Sequence, residues 1–214
     1  MAGEQIIDIV VVAVASYLIG AVPFSYLAGK AFAGLDLRRH GSGNLGASNT
    51  FRLLGPRIAV AVLIGDVAKG FVPVFFAGAI APRGVMPVHW LMLVAAFFAV
   101  LGHMFSPYVR FSGGKGVATT TGAFLALSPI AIGATFVIFI LVFAARRIVS
   151  LASITSAAAL PVVVLVLDRT GLSRSHWSLL AVSILIAVVM LAKHHSNIKR
   201  LLAGEEPALQ RTRR

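Results

Sequence analysis

Long apolar stretches follow one another along almost the whole chain, separated by short polar segments. A bilayer core is crossed by roughly 20 apolar helical residues. Stretches of about that length predict helices at about 5–28, 54–80, 88–107, 130–145, 149–167 and 176–192. A shorter apolar run over 116–127 is followed by Ser128-Pro129, and proline stops a helix. The pattern predicts an all-α, polytopic membrane protein.

The positive charges predict how often the chain crosses the membrane. Lys and Arg cluster in segments 30–57, 103–116, 146–147 and 193–214. Such clusters mark the cytoplasmic side of a membrane protein. All four lie on that side only if 116–127 is a further short span, which gives about seven transmembrane helices. The N-terminus is then outside and the C-terminus cytoplasmic. A re-entrant segment is the alternative for 116–127.

Composition agrees with a membrane protein and excludes several classes of chemistry. Of 214 residues, 58% are hydrophobic and 12% charged, against about 45–50% and about 25% in soluble domains. The net charge of +12 is expected to meet anionic lipid headgroups, not nucleic acid. The absence of cysteine excludes disulfides, thiol catalysis and thiolate metal sites. We expect one membrane domain over 1–214, with no cofactor, no metal and no obligate protein partner.

Residues 40–52 form the first of two glycine-rich basic loops. This first loop holds three glycines, two serines and two asparagines, and Arg38, Arg39 and Arg52 flank it or end it. Glycine lets the backbone approach a ligand, and a phosphate needs N–H and O–H donors converging from several directions. A flexible interfacial turn is the alternative, but thirteen residues with so few apolar members exceed what a turn requires.

The second glycine-rich loop is Gly113-Gly114-Lys115-Gly116, at the start of a predicted helix. A helix N-terminus attracts anions through its N–H groups and dipole. The loop is not a Walker A motif, because Val109 stands where that motif needs Gly and Gly116 where it needs Ser or Thr. Both loops lie on the same predicted face, so together they predict a phosphate-handling site at the membrane surface.

Several polar residues lie within or beside predicted spans. Asp66 and Lys69 in the second span are either functional or an i,i+3 ion pair that neutralises itself. His103 at the inner end of the third span is either interfacial or part of the site. The adjacent His194 and His195 point to different helix faces, so no metal site is predicted there.

Six segments of the chain carry a resemblance to a known family. They are SYLIGAVPFSYL, DLRRHGSGNLGASNTFRLLG, GDVAKGFVPV, VLGHMFSPYVRFSGGKGVATTTG, VSLASIT and KHHSNIKRLLAGEE. Together they resemble the bacterial acyl-phosphate:glycerol-3-phosphate acyltransferases. The resemblance implies a multi-pass inner-membrane enzyme with its active site at the cytoplasmic face. It implies transfer of a fatty acyl group from acyl phosphate to the 1-hydroxyl of sn-glycerol 3-phosphate, giving lysophosphatidic acid and phosphate in phospholipid synthesis.

The resemblance also implies site residues, which fall in motif segments at about 36–52, 103–116 and 193–206, with Lys69 and Ser150 outside them. Catalytic roles are expected for Ser42, Asn44, Lys115, His194 and Asn197. Substrate-binding roles are expected for Gly43, Gly46, Asn49, Arg52, Lys69, His103, Gly113, Gly114, Gly116, Ser150 and Arg200. The tail departs from the family's usual Lys-His-Arg-Glu-Asn by having His195-Ser196 in the middle.

The chain lacks an obvious covalent nucleophile. It has no Cys, no Gly-x-Ser-x-Gly elbow and no His followed five positions later by Asp. We therefore expect direct attack by the glycerol phosphate hydroxyl on the acyl carbonyl, without an acyl-enzyme. The proton acceptor is either a substrate phosphate or His194. A small anion transporter and a lipid-binding structural protein are the competing classes.

Overall fold

The computed structural model describes residues 2–80, 87–173 and 177–209, and within these ranges it contains helices and no strand. The chain forms two compact units, one ending at Leu127 and one beginning at Ser128. The first unit contains six α-helices. They are α1 (Ala2–Gly20), α2 (Phe24–Ala33), α3 (Ala47–Leu54), α4 (Pro56–Ile80), α5 (Val88–Met104) and α6 (Val117–Leu127).

The first predicted helix, 5–28, is wrong as one continuous element, because the backbone breaks between α1 and α2 at Pro23. Proline lacks an N–H, and backbone carbonyls at a break need other partners inside a membrane. Ser106 Oγ donates to Ala21 O at 2.6 Å, and Lys69 Nζ donates to Val22 O at 2.7 Å. The break therefore depends on residues from α4 and from the segment after α5.

Glycines allow two pairs of helices in the first unit to pack at very short distance. Gly20 and Gly102 lie where α1 meets α5, and Gly70 and Gly122 lie where α4 meets α6. A Cβ built on Gly20 would come within 2.7 Å of Ala99 Cα, and Cβ atoms on the other three would also overlap facing backbone. Small residues permit this approach in membrane bundles. The close pairing fixes α4, which carries Lys69, beside α6, which follows the second loop.

The first loop differs from the prediction in its second half. A short 3-10 turn covers Leu37–Arg39, and helix α3 begins at Ala47. The predicted loop 40–52 is therefore wrong beyond Gly46, because the segment folds into a helical turn. Thr50 Oγ1 lies 3.0 Å from Ser25 Oγ on α2, and this buried contact ties α3 to the neighbouring helix.

The described residues of the second unit form four helices. They are α7 (Pro129–Arg146), α8 (Val149–Arg169), α9 (Trp177–Lys193) and α10 (His195–Leu202). Between α7 and α8, Arg147 takes a left-handed conformation with φ 57°. Helix α10 bends 63° away from α9. The bend places the tail motif on a separate short helix, which the sequence pattern did not predict.

Within the described residues, five helical segments are long and apolar enough to cross a membrane, and a sixth counts if α9 and α10 form one bent span. The remaining predicted span is α6, which has only 11 residues. At about 1.5 Å per residue it covers roughly half of a ~30 Å hydrocarbon core. The chain is an integral membrane protein, while seven crossings and the sidedness of the termini stay predictions.

Candidate functional site

A small polar pocket lies in the first unit, where the helix break, both glycine loops and α4 meet. The space open to the centre of a water molecule is ≈ 10 Å³, about enough for one water. The pocket is therefore narrow, and a substrate headgroup enters only if its walls move. Its walls are formed by Pro23, Phe24, Ser25, Leu45, Asp66, Lys69, His103, Ser106, Gly113 and Gly114.

Three buried ionisable side chains stand together in this pocket. Lys69 Nζ lies 2.7 Å from Asp66 Oδ1, and His103 Nδ1 lies 3.6 Å from the same oxygen. Their side chains are 3–7% exposed. The ion-pair alternative for Asp66 and Lys69 is confirmed by this geometry, and the pair also lines the pocket. A protonated His103 would leave one net positive charge there, which suits an anion.

The second glycine loop is built directly on the end of α5. Gly114 N–H donates to His103 O at 3.0 Å. A Cβ on Gly114 would overlap His103 Nε2 and Leu45 O. Close packing against protein therefore explains this glycine, and its N–H is already bonded. The N–H groups of Gly113 and Gly116 form no hydrogen bond within the described part of the chain, so they remain candidate donors to a ligand.

Lys115 is half-buried between these glycines and next to the start of α6. Just before the loop, Arg110 and Phe111 both take left-handed backbone conformations, with φ 56° and φ 58°. Such conformations cost roughly 1–2 kcal/mol per non-glycine residue and occur often at functional sites. The surrounding fold thus forces the sharp turn that presents the second loop.

Asn49 organises the first loop from inside. Its Nδ2 donates to Leu37 O at 3.0 Å and to His40 O at 3.1 Å, and its Oδ1 accepts the Ser42 N–H at 2.9 Å. The residue is 1% exposed. Its polar atoms thus hold the loop backbone. Any effect of Asn49 on a substrate then passes through the loop, including the exposed Ser42.

Of the arginines near the first loop, Arg38 is already committed to the fold. Its guanidinium bonds to Asp36, with Nη2 2.6 Å from Oδ2, and to Val109 O at 2.9 Å. This hydrogen bonding lowers the pKa of Asp36 to about 2. Arg52, in the last turn of α3, is half-buried and forms no ion pair with another described residue. Arg52 therefore keeps its charge for a ligand.

The remaining residues of the first loop lie beside these groups. Gly43 is exposed with φ 69°, Asn44 is half-buried, and Gly46 caps the N-terminus of α3. A left-handed φ of this kind suits glycine. The exposed side of the first loop thus carries Ser42, Gly43 and Asn44, the group for which the sequence predicted phosphate contacts.

In the second unit, the predicted tail residues meet around a carboxylate that sequence reasoning missed. Ser150 Oγ and Asn197 Nδ2 both donate to Glu206 Oε1 at 2.6 Å. Arg200 Nε donates to Oε2 at 2.7 Å. Burial raises the pKa of Glu206, but these three hydrogen bonds outweigh burial and lower it below its ordinary value. Ser150, Asn197 and Arg200 thus all bind the carboxylate of Glu206.

His194 is almost fully buried at the start of α10, with 1% exposure. Its Nδ1 lies 2.7 Å from Met190 O, so Nδ1 carries a proton and donates it to that carbonyl. A neutral ring then has Nε2 as its basic atom. Nδ1 is thus committed to the fold, and the role of His194 as a proton acceptor stays a prediction.

Comparisons with known proteins find relatives that match most of the chain. The family model described as glycerol-3-phosphate acyltransferase matches residues 10–204. A glycerol-3-phosphate acyltransferase of Geotalea daltonii is 41% identical over 202 residues, covering 94% of this chain and 98% of the relative. One of Fusobacterium nucleatum is 43% identical over 193 residues, covering 90% and 94%.

Solved structures give the same picture. The chain is similar to PlsY (YgiH), an integral membrane glycerol 3-phosphate acyltransferase, in its glycerol 3-phosphate form. The TM-score is 0.83 at 35% identity, covering 94% of this chain and 96% of that chain. The form with lysophosphatidic acid gives a TM-score of 0.81 at 34% identity, covering 94% of both chains.

Proposed function

Because the chain belongs to the glycerol-3-phosphate acyltransferase family, we propose that its acyl donor is an acyl phosphate. The 1-hydroxyl of sn-glycerol 3-phosphate attacks the acyl carbonyl, and the products are lysophosphatidic acid and inorganic phosphate. The observation that carries the proposal is the narrow polar pocket in the first unit, where Lys69, His103 and the second glycine loop converge. Two phosphate-bearing substrates fit such surroundings.

The related structures support the acceptor and the product. Those proteins are described in a glycerol 3-phosphate form and in a lysophosphatidic acid form. Glycerol 3-phosphate offers a phosphate and hydroxyls, and a donor with its own phosphate offers a second anion. Lys115 and the N–H groups of Gly113 and Gly116 suit one phosphate, and Arg52 suits another by bidentate bonding.

The proposed reaction needs no covalent acyl-enzyme. The attacking oxygen forms a bond to the acyl carbon, and the bond from that carbon to the phosphate oxygen breaks. The departing phosphate takes the electron pair, and positioned donors stabilise its growing charge. Ser42, Asn44 and Lys115 are the proposed donors. The hydroxyl proton passes either to a substrate phosphate, whose second pKa is near 6, or to His194.

We propose that the reaction occurs at the cytoplasmic face of a bacterial inner membrane. Basic clusters near both loops and in the tail support this side by the positive-inside rule. The enzyme would act without an obligate protein partner, taking one substrate from the lipid phase and one from water.

The donor is tested with purified protein in detergent, glycerol 3-phosphate and either palmitoyl phosphate or palmitoyl-CoA. We expect lysophosphatidic acid and phosphate in equal amounts from palmitoyl phosphate, and no product from palmitoyl-CoA. Transfer from palmitoyl-CoA alone would refute the proposed donor. A rapid quench without glycerol 3-phosphate checks for a protein-bound acyl group, which we expect to be absent.

A further inference from the structure

Asp66 is the one ionisable residue of the pocket lining that has no predicted role in the site. Its side chain is 3% exposed, and a single oxygen, Oδ1, faces both Lys69 and His103. A buried carboxylate is costly unless charges or donors compensate it. Asp66 is therefore held in place by the two pocket residues that it contacts, and it restrains them in turn.

The contact with Lys69 fixes one side of the pocket. Lys69 Nζ bonds to Asp66 Oδ1 and to Val22 O at the helix break, both at 2.7 Å. The ammonium also lies 5.7 Å from the centre of the Phe24 ring. Asp66 thus keeps the Lys69 ammonium directed at the helix break, and Lys69 forms part of the pocket wall.

The contact with His103 has a different consequence. Nδ1 faces Asp66 at 3.6 Å, which is within ion-pair distance though longer than a hydrogen bond. The opposite ring atom, Nε2, lies against Gly114 of the second loop. A carboxylate on one ring nitrogen orients the imidazole and determines which nitrogen meets a ligand. The orientation seen here presents Nε2 to the second loop.

We infer that Asp66 is a positioning residue that holds His103 so that Nε2 bonds to a substrate phosphate at the second glycine loop. The inference rests on the proposed function. A carboxylate that only neutralised Lys69 would need no contact with the histidine. The shared oxygen, together with Gly114 packed against Nε2, links the ion pair to the place where the loop would receive a phosphate.

A kinetic double-mutant cycle tests the inference with wild type, Asp66→Asn, His103→Ala and the double variant. Residues that orient a ligand-binding histidine typically contribute about 10–100-fold. We expect Asp66→Asn to lower kcat/KM at least about tenfold in the wild type and clearly less when His103 is already Ala, where only the contribution through Lys69 remains. Effects that multiply in the double variant, or a fully active Asp66→Asn, would overturn the inference.

Separate KM values for palmitoyl phosphate and glycerol 3-phosphate show which phosphate His103 meets. Thermal unfolding of each variant separates loss of fold from loss of turnover. If Asp66→Asn does not fold, imidazole ¹⁵N NMR of the wild type tests whether His103 binds phosphate. Inorganic phosphate is expected to shift the signal that disappears in His103→Ala, and an unchanged signal would overturn the inference. Failure of the proposed function instead appears as no wild-type transfer from palmitoyl phosphate.

Discussion

Glu206→Gln should release the tail from the second unit. Glutamine still accepts hydrogen bonds through one oxygen, but it places an NH₂ group where Arg200 Nε now donates to Oε2 at 2.7 Å. A hydrogen bond to a charged group contributes about 1.5–3 kcal/mol. The Arg200 side chain is 41% exposed, and solvent screening places the loss near the lower part of that range.

A loss of about 2 kcal/mol corresponds to about 30-fold more frequent local opening. The opening should affect α10 and the segment after it, where Leu209 N–H also donates to Arg147 O. Hydrogen–deuterium exchange over 195–209 in detergent measures it. Glu205→Gln is the matched control, because Glu205 is exposed and forms no side-chain bond with another described residue. Equal exchange in the two variants would refute the role given to Glu206.

Lowering the pH should reproduce the effect of Glu206→Gln on the tail. The pKa of Glu206 is lowered in the folded protein. A carboxyl of that kind contributes stability above its unfolded value of 4.5, and this contribution is lost as pH falls through the folded value. Protection of 195–209 in the wild type should therefore fall below about pH 4.5, while the Glu206→Gln protein should lack this step.

The remaining predictions concern the first unit and the sidedness of the chain. Lys115→Ala should lower kcat at least about 100-fold while the protein stays inserted, since removing one donor to developing charge costs that much; full activity would exclude the second loop from the site. Arg52→Ala should raise the KM for glycerol 3-phosphate about tenfold or more, with the exposed Arg39→Ala as control; an unchanged KM would reassign Arg52. Gly122→Ala should destabilise the protein by about 1–3 kcal/mol, because its Cβ would overlap α4 backbone. Gly133→Ala is the control, because a Cβ at that position meets open space. Equal melting temperatures of the two variants would contradict the packing argument. A reporter fused to the C-terminus should read cytoplasmic, and an external reading would refute the predicted sidedness.

Helices set by long apolar runs were predictable from the sequence. The predicted ranges for α4 and for α6 to α9 agree with the structure to within a few residues. Two of these helices begin at a proline, Pro56 and Pro129, which favours the first turn of a helix. The break in the first predicted helix was missed because the residues around Pro23 are almost all apolar. The partners that stabilise the break, Lys69 and Ser106, lie far away in the sequence.

The sequence predicted which residues lie together in the pocket better than it predicted the contacts that each residue forms. Both glycine loops, Lys69 and His103 converge in the first unit, as the motifs indicated. Gly114 and Asn49 serve the protein's own packing and hydrogen bonding, which no local pattern distinguishes from ligand binding. Glu206 was missed because it stands next to Glu205, and the sequence does not show which of the two carboxylates meets Ser150, Asn197 and Arg200. Helix α3 was missed because it has only eight residues, four of them polar, and so forms no long apolar run.

The helix break at Pro23 also bears on the order in which the protein assembles. Residues 5–33 are long and apolar enough to enter a bilayer as one span, and an isolated span satisfies its backbone best when it is continuous. The Ala21 carbonyl gains its side-chain donor only once Ser106 arrives, and Val22 O, which already accepts the Phe24 N–H, gains a second donor from Lys69. The break beside the pocket therefore acquires these side-chain donors after insertion, from segments that are synthesised later. The pocket wall therefore forms only when α4 and the segment after α5 pack against the break.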